Sequence, residues 1–382
     1  MAENTTRGYV SCGGTEPGIY TCEFDPARGR AEIGRRASED RDIAFLAAGP
    51  DARCLYAATS DEGIPPDTAA PRGLARAYRI DPATGGLTRI NEQRTQGSSP
   101  CYLAVAGGGR ALLVANFREF GRYGNAGHRS RGSLCVLPIR PDGSLGPASD
   151  VRVHEGHSVH PDRQTASHPH GIHLHPGGRW LAVCDLGTDQ LYAYELDPAG
   201  LRVQPAPAPH VPLPRPTGPR HLAFHPSGRF ACVVSETRTA LIALSFDDAT
   251  GRMEILEETP VLAGGETEGA SGADIQAHPS GQFLYASIRG RAGIAICRMD
   301  GARGSLEAAG FVPLPGGALD ELRIVPGGEF LLAPTDKGIL SYRIATGTGA
   351  LARSGGSRGI PSGAIALLGA RQSGSGQEGE AK

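Results

Sequence analysis

The sequence has no long apolar run. Its first residues, Met-Ala-Glu-Asn-Thr-Thr-Arg, contain no apolar segment, and nowhere do about 20 apolar residues follow one another. A signal peptide or a membrane-spanning helix needs such a segment. We therefore expect a cytoplasmic protein with no membrane partner.

An excess of positive charge is also missing. The 38 basic side chains face 40 acidic ones, for a net charge of -2, and lysine occurs only at Lys337 and Lys382. A surface that binds nucleic acid needs a clearly basic balance. Nucleic acid is therefore not an expected partner, and nearly all basic groups available to a site are arginines.

The eight cysteines include no Cys-x-x-Cys pair, and no ligand spacing typical of zinc is present. We expect buried, reduced thiols of a cytoplasmic protein, although Cys12 and Cys22 could face each other across a hairpin. His168 and His170 on one strand face, completed by a distant carboxylate, are the alternative of a metal site. The favoured prediction is a site without metal or cofactor.

Glycine and proline, by contrast, are abundant, with 55 and 30 residues, and they mark a repeat. In residues 217–236, apolar side chains alternate on both sides of a Pro-Ser-Gly turn, which is the period of half-buried strands. Similar hairpins occupy residues 45–56, 103–114, 172–183, 275–285 and 322–332. The later turn prolines recur about every 50 residues, a period typical of a propeller.

The strands of each repeat can be counted from its turns. Each hairpin is followed by a third strand, a turn rich in Asp, Thr and Gly, and a fourth strand. A seventh unit can be assembled from residues 361–369 as its first strand and 9–14 as its second, which removes a free sheet edge. We predict an all-β, seven-bladed propeller with four antiparallel strands per blade, closed by the N- and C-terminal strands in one blade. The predicted organisation is an arm at 1–8, a single domain at 9–370 and a disordered tail at 371–382.

Two long segments interrupt the regular spacing. Residues 117–132 are long and basic, and residues 153–169 are rich in histidine. Long loops at one rim of a rigid scaffold tend to carry function. The first of them is a candidate lid over a substrate.

Polar residues directly before or after the hairpins are expected at the mouth of the central channel. Arginine binds carboxylate or phosphate with a fork of donors, and a neutral histidine can accept a proton near pH 7. This combination suits a small anionic substrate. The residues at these positions are Arg163, Gln164, His168, His170, Asp185, Asp189, Arg220, His221, Glu236, Asp274 and Arg289.

In their order along the chain, these motifs resemble those of the seven-bladed propeller lactonase family. That family includes bacterial propeller-type 6-phosphogluconolactonases and fungal carboxymuconate cyclases. The resemblance covers nearly the whole chain. The motifs are Arg163-Gln164, His168-Pro-His170, Asp185-Leu-Gly-x-Asp189, Gly218-Pro-Arg220-His221, Ser235-Glu236 and Ser287-Ile-Arg289-Gly290.

The resemblance implies a division of roles at the site. The His, the two Arg and the Glu proposed for the cyclase branch fall on His170, Arg220, Arg289 and Glu236. We expect His170, Glu236 and Arg220 to be catalytic, with His170 rather than His168 as the base. The expected substrate-binding residues are Arg289, Arg163, Gln164, His168, His221 and Asp185.

The sequence also departs from the family pattern. Ile288 replaces a usual Asn, Leu319-Asp320 stands near a usual Pro-Arg pair, and the first hairpin has Asp61 and Glu62 a few residues after the usual acid position. All three departures are expected around the channel mouth.

The resemblance predicts an enzyme of the carboxylic ester hydrolase class. The expected reaction is metal-free hydrolysis of a sugar-phosphate lactone, most simply 6-phosphogluconolactone to 6-phosphogluconate in the pentose phosphate pathway. Two alternatives stay open: a cycloisomerase acting on carboxymuconolactone, and a non-catalytic propeller that serves as a binding platform. The expected partner is a small anionic lactone, and the expected state is a monomer or weak homodimer.

Overall fold

The computed structural model describes residues 5–65, 70–118, 130–197, 201–262, 268–315, 319–357 and 360–368. Within them, the chain forms seven antiparallel sheets of four strands each, which we call blades 1 to 7. No helix in these ranges is long and apolar enough to cross a membrane. The prediction of a seven-bladed, all-β propeller is confirmed.

The strands of the first four blades follow one another in chain order. Blade 1 contains β4 (Phe45–Ala48), β5 (Cys54–Ser60), β6 (Gly73–Ile80) and β7 (Leu87–Arg94). Blade 2 contains β8 (Ser98–Ala106), β9 (Ala111–Arg118), β10 (Ser133–Pro138) and β11 (Asp150–Arg152). Blade 3 contains β12 (Pro169–Leu174), β13 (Trp180–Asp185), β14 (Gln190–Asp197) and β15 (Arg202–Pro212). Blade 4 contains β16 (Pro219–Phe224), β17 (Phe230–Ser235), β18 (Ala240–Asp247) and β19 (Arg252–Pro260).

The remaining blades complete and close the ring. Blade 5 contains β20 (Ser271–Ala277), β21 (Phe283–Arg289), β22 (Gly293–Met299) and β23 (Leu306–Pro313). Blade 6 contains β24 (Arg323–Ile324), β25 (Phe330–Thr335), β26 (Gly338–Ile344) and β27 (Leu351–Gly356). Blade 7 joins the chain ends, β28 (Ser362–Leu367) with β1 (Thr6–Cys12), β2 (Gly18–Asp25) and β3 (Arg30–Ser38).

The ring closes by strand pairing between β28 and β1. Gly8 lies opposite Leu367, Tyr9 opposite Ala366 and Val10 opposite Ile365. The predicted closure by the two terminal strands is therefore confirmed. Cys12 and Cys22 are both free and buried, and Cys12 lies opposite Gly18 instead of Cys22.

The apolar core lies between the blades. The described residues form seven buried clusters, each shared by two neighbouring blades. In the cluster between blades 3 and 4, Trp180 is 1% exposed, and its Nε1 donates to the carbonyl of Asp248 at 2.8 Å. Since a buried large apolar side chain contributes about 1.5–3 kcal/mol, these interfaces hold the ring together.

In blades 3, 4 and 5, a histidine caps the turn between the first two strands. In blade 4, His225 Nδ1 accepts from the backbone N–H of Ser227 at 3.0 Å, and Gly228 has a φ of 74°, which favours glycine. His175 of blade 3 reaches across to donate from Nε2 to the carbonyl of Gly228 at 3.0 Å. These histidines cap turns, and they also link neighbouring blades.

The first strand of every blade lines a central channel. The lower part of the channel is a cavity of about 620 Å³ bordered by residues of β4, β8, β12, β16, β20, β24 and β28. At the other end of these strands lie most of the polar residues selected from the sequence.

Candidate active site

The inner strands of blades 2 to 5 each contain a β-bulge near their start. A bulge inserts a residue that has no ladder partner and re-aims its side chain, and bulges are frequent beside active sites. His170 and Arg220 occupy the bulges of adjacent strands, so both lie at the same level of the channel. The other bulged residues are Cys101 in blade 2 and Ala273 with Asp274 in blade 5.

Glu236 follows β17 directly and is the centre of an arginine cluster. Arg163 Nε donates to Glu236 Oε1 at 2.7 Å, and Arg289 Nη2 donates to Oε2 at 2.9 Å. Arg220 Nε lies 3.5 Å from Oε2. The structure thus brings together four of the predicted residues, which come from blades 4 and 5 and from the segment before β12.

The charge state of Glu236 follows from these neighbours. Burial alone would raise the pKa of Glu236, whose side chain is 6% exposed, but Arg163, Arg220 and Arg289 outweigh it and hold the pKa below its usual value. Glu236 is therefore an ionised acceptor at neutral pH. Its hydrogen bonds go to arginines, and within the described residues none goes to His170.

Asp320 forms a second anionic contact of the same cluster. Its Oδ1 lies 3.3 Å from Arg289 Nη1 and 3.8 Å from Arg220 Nη2, and its side chain is 56% exposed. Arg220 and Arg289 are therefore held between a buried carboxylate and an accessible one. Asp320 had been noted in the sequence only as a departure from a Pro-Arg pair, so its carboxylate was missed.

His170 lies beside the arginines and is 8% exposed. Burial lowers its pKa well below the usual value, and the charges of Arg220, Arg163 and Arg289 lower it further. The imidazole is therefore neutral near pH 7 and able to accept a proton. Its Nδ1 is buried and has no hydrogen-bond partner among the described residues.

Phe117, at the end of β9, supports this part of the site. Its ring stacks on His168 with centroids 4.4 Å apart and meets His170 edge-on at 5.8 Å. The guanidinium carbon of Arg163 lies 5.4 Å from the Phe117 centroid, and that of Arg118 lies 6.0 Å from it. Phe117 and Arg118 were also missed as site residues, although they begin the long basic segment that the sequence indicated as functional.

Three predicted substrate-binding residues lie beneath the site instead of facing the channel mouth. Gln164 Nε2 donates to the carbonyl of Leu186 at 2.9 Å and to Asp189 Oδ1 at 2.7 Å. Asp185 Oδ2 bonds to His154 Nδ1 at 2.8 Å, and its Oδ1 accepts from the backbone N–H of His168 at 2.8 Å.

His168 is the third of these residues. Its Nδ1 bonds to the carbonyl of Phe117 at 2.8 Å, and burial lowers its pKa to about 4. Gln164, Asp185 and His168 are each 0–1% exposed. Residues buried to this degree offer little surface to a substrate, and the hydrogen bonds given above hold loop backbone, so we expect these three residues to position the site instead of binding the substrate as predicted. Of the two candidate bases, His170 is the one beside the arginine cluster.

His221 is likewise buried, at 2% exposure, beneath His170 and Arg220. Its Nδ1 bonds to Asp274 Oδ1 at 2.8 Å, and its ring centroid lies 5.2 Å from that of His170. Burial, and then the charge of Arg220, lower its pKa to about 4. His221 therefore contacts the candidate catalytic residues and not the open mouth.

Two further predictions concern a lid over the site and a metal ion in it. The proposed lid at 117–132 falls largely on residues 119–129, which lie outside the described residues. For the alternative metal site, the described ranges contain no group of three His, Cys, Asp or Glu side chains placed to hold an ion.

The fold and the site together define a class: a seven-bladed propeller with a histidine and an arginine–glutamate cluster at the mouth of its channel. The chain belongs to the family described as "Lactonase, 7-bladed beta-propeller", which matches residues 6–367. This finding confirms the resemblance seen in the motifs.

Three relatives illustrate the similarity. The chain is 28% identical to the 6-phosphogluconolactonase of Bacillus subtilis over 333 residues, 86% of this chain and 88% of that protein. It is 28% identical to the 6-phosphogluconolactonase of Pectobacterium carotovorum over 312 residues, 80% of this chain and 82% of the other. The structure of the periplasmic gluconolactonase of Pseudomonas aeruginosa superposes with a TM-score of 0.84 at 28% identity, covering 96% of this chain and 99% of that one.

Proposed function

We propose that this protein is a lactonase, a carboxylic ester hydrolase that opens a small anionic lactone, with 6-phosphogluconolactone as its substrate. The observation that carries the proposal is the convergence of Arg163, Arg220 and Arg289 on Glu236 beside a neutral His170. The names of the two bacterial 6-phosphogluconolactonases support the same substrate. An arginine cluster at the mouth of a closed ring has no packing role that would require it.

The charges of the cluster favour an anion. Four arginines lie at this part of the mouth and outnumber the carboxylates of Glu236 and Asp320, so the mouth attracts a phosphate group. The four are Arg118, Arg163, Arg220 and Arg289. Asp320 is the exposed partner of Arg220 and Arg289, and a phosphate can take its place there because guanidinium forks bind phosphate through two donors. Glu236 is buried beside the same arginines and holds them in position while the phosphate replaces Asp320.

The proposed chemistry assigns the proton to His170. Its imidazole removes a proton from a water molecule as that water attacks the lactone carbonyl carbon. An arginine of the cluster stabilises the oxyanion that forms on the carbonyl oxygen. The bond between the carbonyl carbon and the ring oxygen then breaks, His170 returns the proton to the ring oxygen, and the hydroxy acid leaves.

The test is product formation from freshly prepared 6-phosphogluconolactone, measured against its spontaneous hydrolysis. We expect the wild-type protein to accelerate hydrolysis, and we expect His170→Ala and Arg220→Ala each to lose on the order of 10²–10⁴-fold in kcat/KM. His210→Ala and Arg202→Ala, at exposed positions on β15, are the matched controls and should retain full rate.

A parallel assay with unphosphorylated gluconolactone tests the substrate. Because the arginine cluster is proposed to bind the phosphate, kcat/KM should be higher for the phosphorylated lactone. Equal rates would retain the lactonase and reject the phosphate preference. No acceleration of either lactone, by a protein that unfolds cooperatively, would overturn the proposal and direct the assay to carboxymuconolactone.

The cytoplasmic location and the state of monomer or weak dimer belong to the same proposal and stay predictions. Light scattering after size-exclusion chromatography gives the mass in solution, for comparison with the 39.7 kDa of one chain.

A further inference from the structure

The two carboxylates of the arginine cluster are held differently. The side chain of Asp320 is 56% exposed, whereas that of Glu236 is 6% exposed. Asp320 Oδ1 lies 3.3 Å from Arg289 Nη1 and 3.8 Å from Arg220 Nη2, and the second distance is longer than a hydrogen bond. Because exposed ion pairs contribute little to stability, the carboxylate of Asp320 can leave the arginines at small cost.

The two arginines are also fixed by groups other than the carboxylate of Asp320. Arg289 Nη2 donates to Glu236 Oε2 at 2.9 Å. Arg220 Nη1 donates to the carbonyl of Ala273 at 2.7 Å. Arg289 Nη1 and Arg220 Nη2 therefore stay directed at the point that Asp320 Oδ1 occupies, and an oxygen of a bound anion can occupy the same point.

The backbone at Asp320 is anchored independently of its side chain. Leu319 and Leu322 are both 0% exposed and pack in the apolar cluster between blades 5 and 6. The carbonyl of Asp320 accepts from Arg220 Nη1 at 3.4 Å. The carboxylate can therefore turn toward solvent while its backbone stays in place, and a substitution of this side chain should leave the fold intact.

Lactone hydrolysis increases the negative charge of the bound molecule. Water adds to the carbonyl carbon, the bond to the ring oxygen breaks, and the carboxylic acid that results is ionised at pH 7. The product therefore carries one more negative charge than the substrate. Arginines that bind the anionic substrate bind such a product more tightly, which slows its release.

We propose that Asp320 is a specificity-determining residue that competes with bound anions for Arg220 and Arg289. Its carboxylate, tethered beside the two guanidinium groups, replaces an anionic oxygen that leaves them. This competition weakens the binding of the more highly charged product more than that of the substrate. The competition is independent of any reaction, and only its effect on product release rests on the proposed lactonase function.

The first test measures anion binding without catalysis. Inorganic phosphate and 6-phosphogluconate are titrated calorimetrically into full-length wild type and Asp320→Asn at low ionic strength, where charges are least screened. Asparagine has nearly the shape of aspartate without its charge, so we expect Kd to fall about 3-fold for phosphate and about 10-fold for 6-phosphogluconate. Asp336→Asn, in the exposed turn between β25 and β26, removes the same charge and should change neither Kd by more than about 1.5-fold.

The direction of the change in Kd decides between competition and support. Weaker binding by Asp320→Asn would mean that the carboxylate orders the arginines for the anion, and unchanged binding would mean that it does not compete. Either result overturns the proposal. Asp320→Ala should tighten binding as well, because it too removes the charge. Tighter binding by Asp320→Asn alone would assign the effect to the asparagine amide and also overturn the proposal.

The second test follows product inhibition during hydrolysis of 6-phosphogluconolactone. In Asp320→Asn, the inhibition constant Ki for 6-phosphogluconate should fall about 10-fold and KM only about 3-fold, so the ratio of Ki to KM falls. A merely structural role would lower kcat and leave this ratio unchanged. Tighter phosphate binding with an unchanged ratio would reject the role of Asp320 in product release.

The outcomes also separate this inference from the proposed function. A wild-type protein inactive on every lactone, whose Asp320→Asn variant binds phosphate more tightly, would retain the competition and reject the lactonase. An active wild-type protein whose Asp320→Asn variant has unchanged Kd values and an unchanged ratio of Ki to KM would do the reverse.

Discussion

At the scale of single residues, Glu236 is the group on which the arginine cluster depends. Its two oxygens hold Arg163 and Arg289 by hydrogen bonds and face Arg220 across 3.5 Å. Without the carboxylate, three guanidinium groups would repel one another at the channel mouth. Glu236 is therefore better described as the support of a cationic surface than as a proton donor.

Glu236→Gln should lower both stability and activity. Glutamine retains an acceptor oxygen but lacks the negative charge, so we expect a loss of about 1–3 kcal/mol in the free energy of unfolding at pH 7. We also expect a higher KM for an anionic lactone, since the arginines lose their order. Glu254→Gln, at an exposed pair with Arg252, is the control and should change neither value appreciably.

The pH dependence of this loss follows from the sign of the shift. The folded-state pKa of Glu236 is lower than its unfolded value near 4.5, so its contribution is complete above that pH and disappears as the pH falls through the folded-state pKa. The stability difference between wild type and Glu236→Gln should therefore shrink below about pH 4.5 in urea unfolding. A difference that stays constant down to pH 3 would contradict the charge-based account.

At the scale of elements, the turn histidines join neighbouring blades. His278 Nδ1 accepts from the backbone N–H of Ser280 at 3.1 Å, and its Nε2 donates to the carbonyl of Gly328 in blade 6 at 2.9 Å. One side chain thus serves a turn and an interface. The same arrangement in His175 makes it a repeated feature of the fold.

His278→Ala should destabilise the protein although the turn is exposed to solvent. It removes a turn cap and an inter-blade hydrogen bond, so we expect a loss of about 1–2 kcal/mol, measured by urea unfolding. His210→Ala, an exposed histidine on β15, is the matched control and should lie within about 0.5 kcal/mol of wild type. Equal effects of the two substitutions would show that the cap contributes nothing.

The elements also show how far sequence reasoning reaches. Hairpins such as residues 217–236 could be predicted because alternating apolar residues and Pro-Gly turns are local signals. The depth of Gln164, His168 and Asp185 could not be predicted, because tertiary contacts decide whether a loop residue faces solvent or folds under the loop. The bulge at His170 leaves no local mark either, since it depends on pairing with β13.

At the scale of the whole molecule, the ring depends on one non-covalent closure. Ile365 of β28 is fully buried and lies opposite Val10 of β1, in the cluster between blades 6 and 7. The repeat of the hairpins predicted the ring, and the pattern of the two chain ends predicted the closure. The identity of the groups that meet at the centre of the ring, above all Asp320 and the pair His170–His221, required the folded structure.

Ile365→Ala tests how much this closure contributes. Removing three buried carbons from a packed interface should cost about 2–4 kcal/mol, seen as a lower midpoint of urea unfolding. Ile255→Ala, at a position 39% exposed on β19, removes the same atoms and should cost less than about 0.5 kcal/mol. If the two variants unfold at the same midpoint, closure of the ring is not what limits its stability.

The bulges at one level of successive inner strands have a consequence for the origin of the site. In a ring of similar units, one backbone position faces the centre once per unit. Here that position carries a thiol in blade 2, an imidazole in blade 3 and a guanidinium in blade 4. Divergence of this one position among similar blades is enough to place a different functional group at the same level of the channel in each blade, and residues outside the bulges, such as Glu236 and Arg289, complete the asymmetric site.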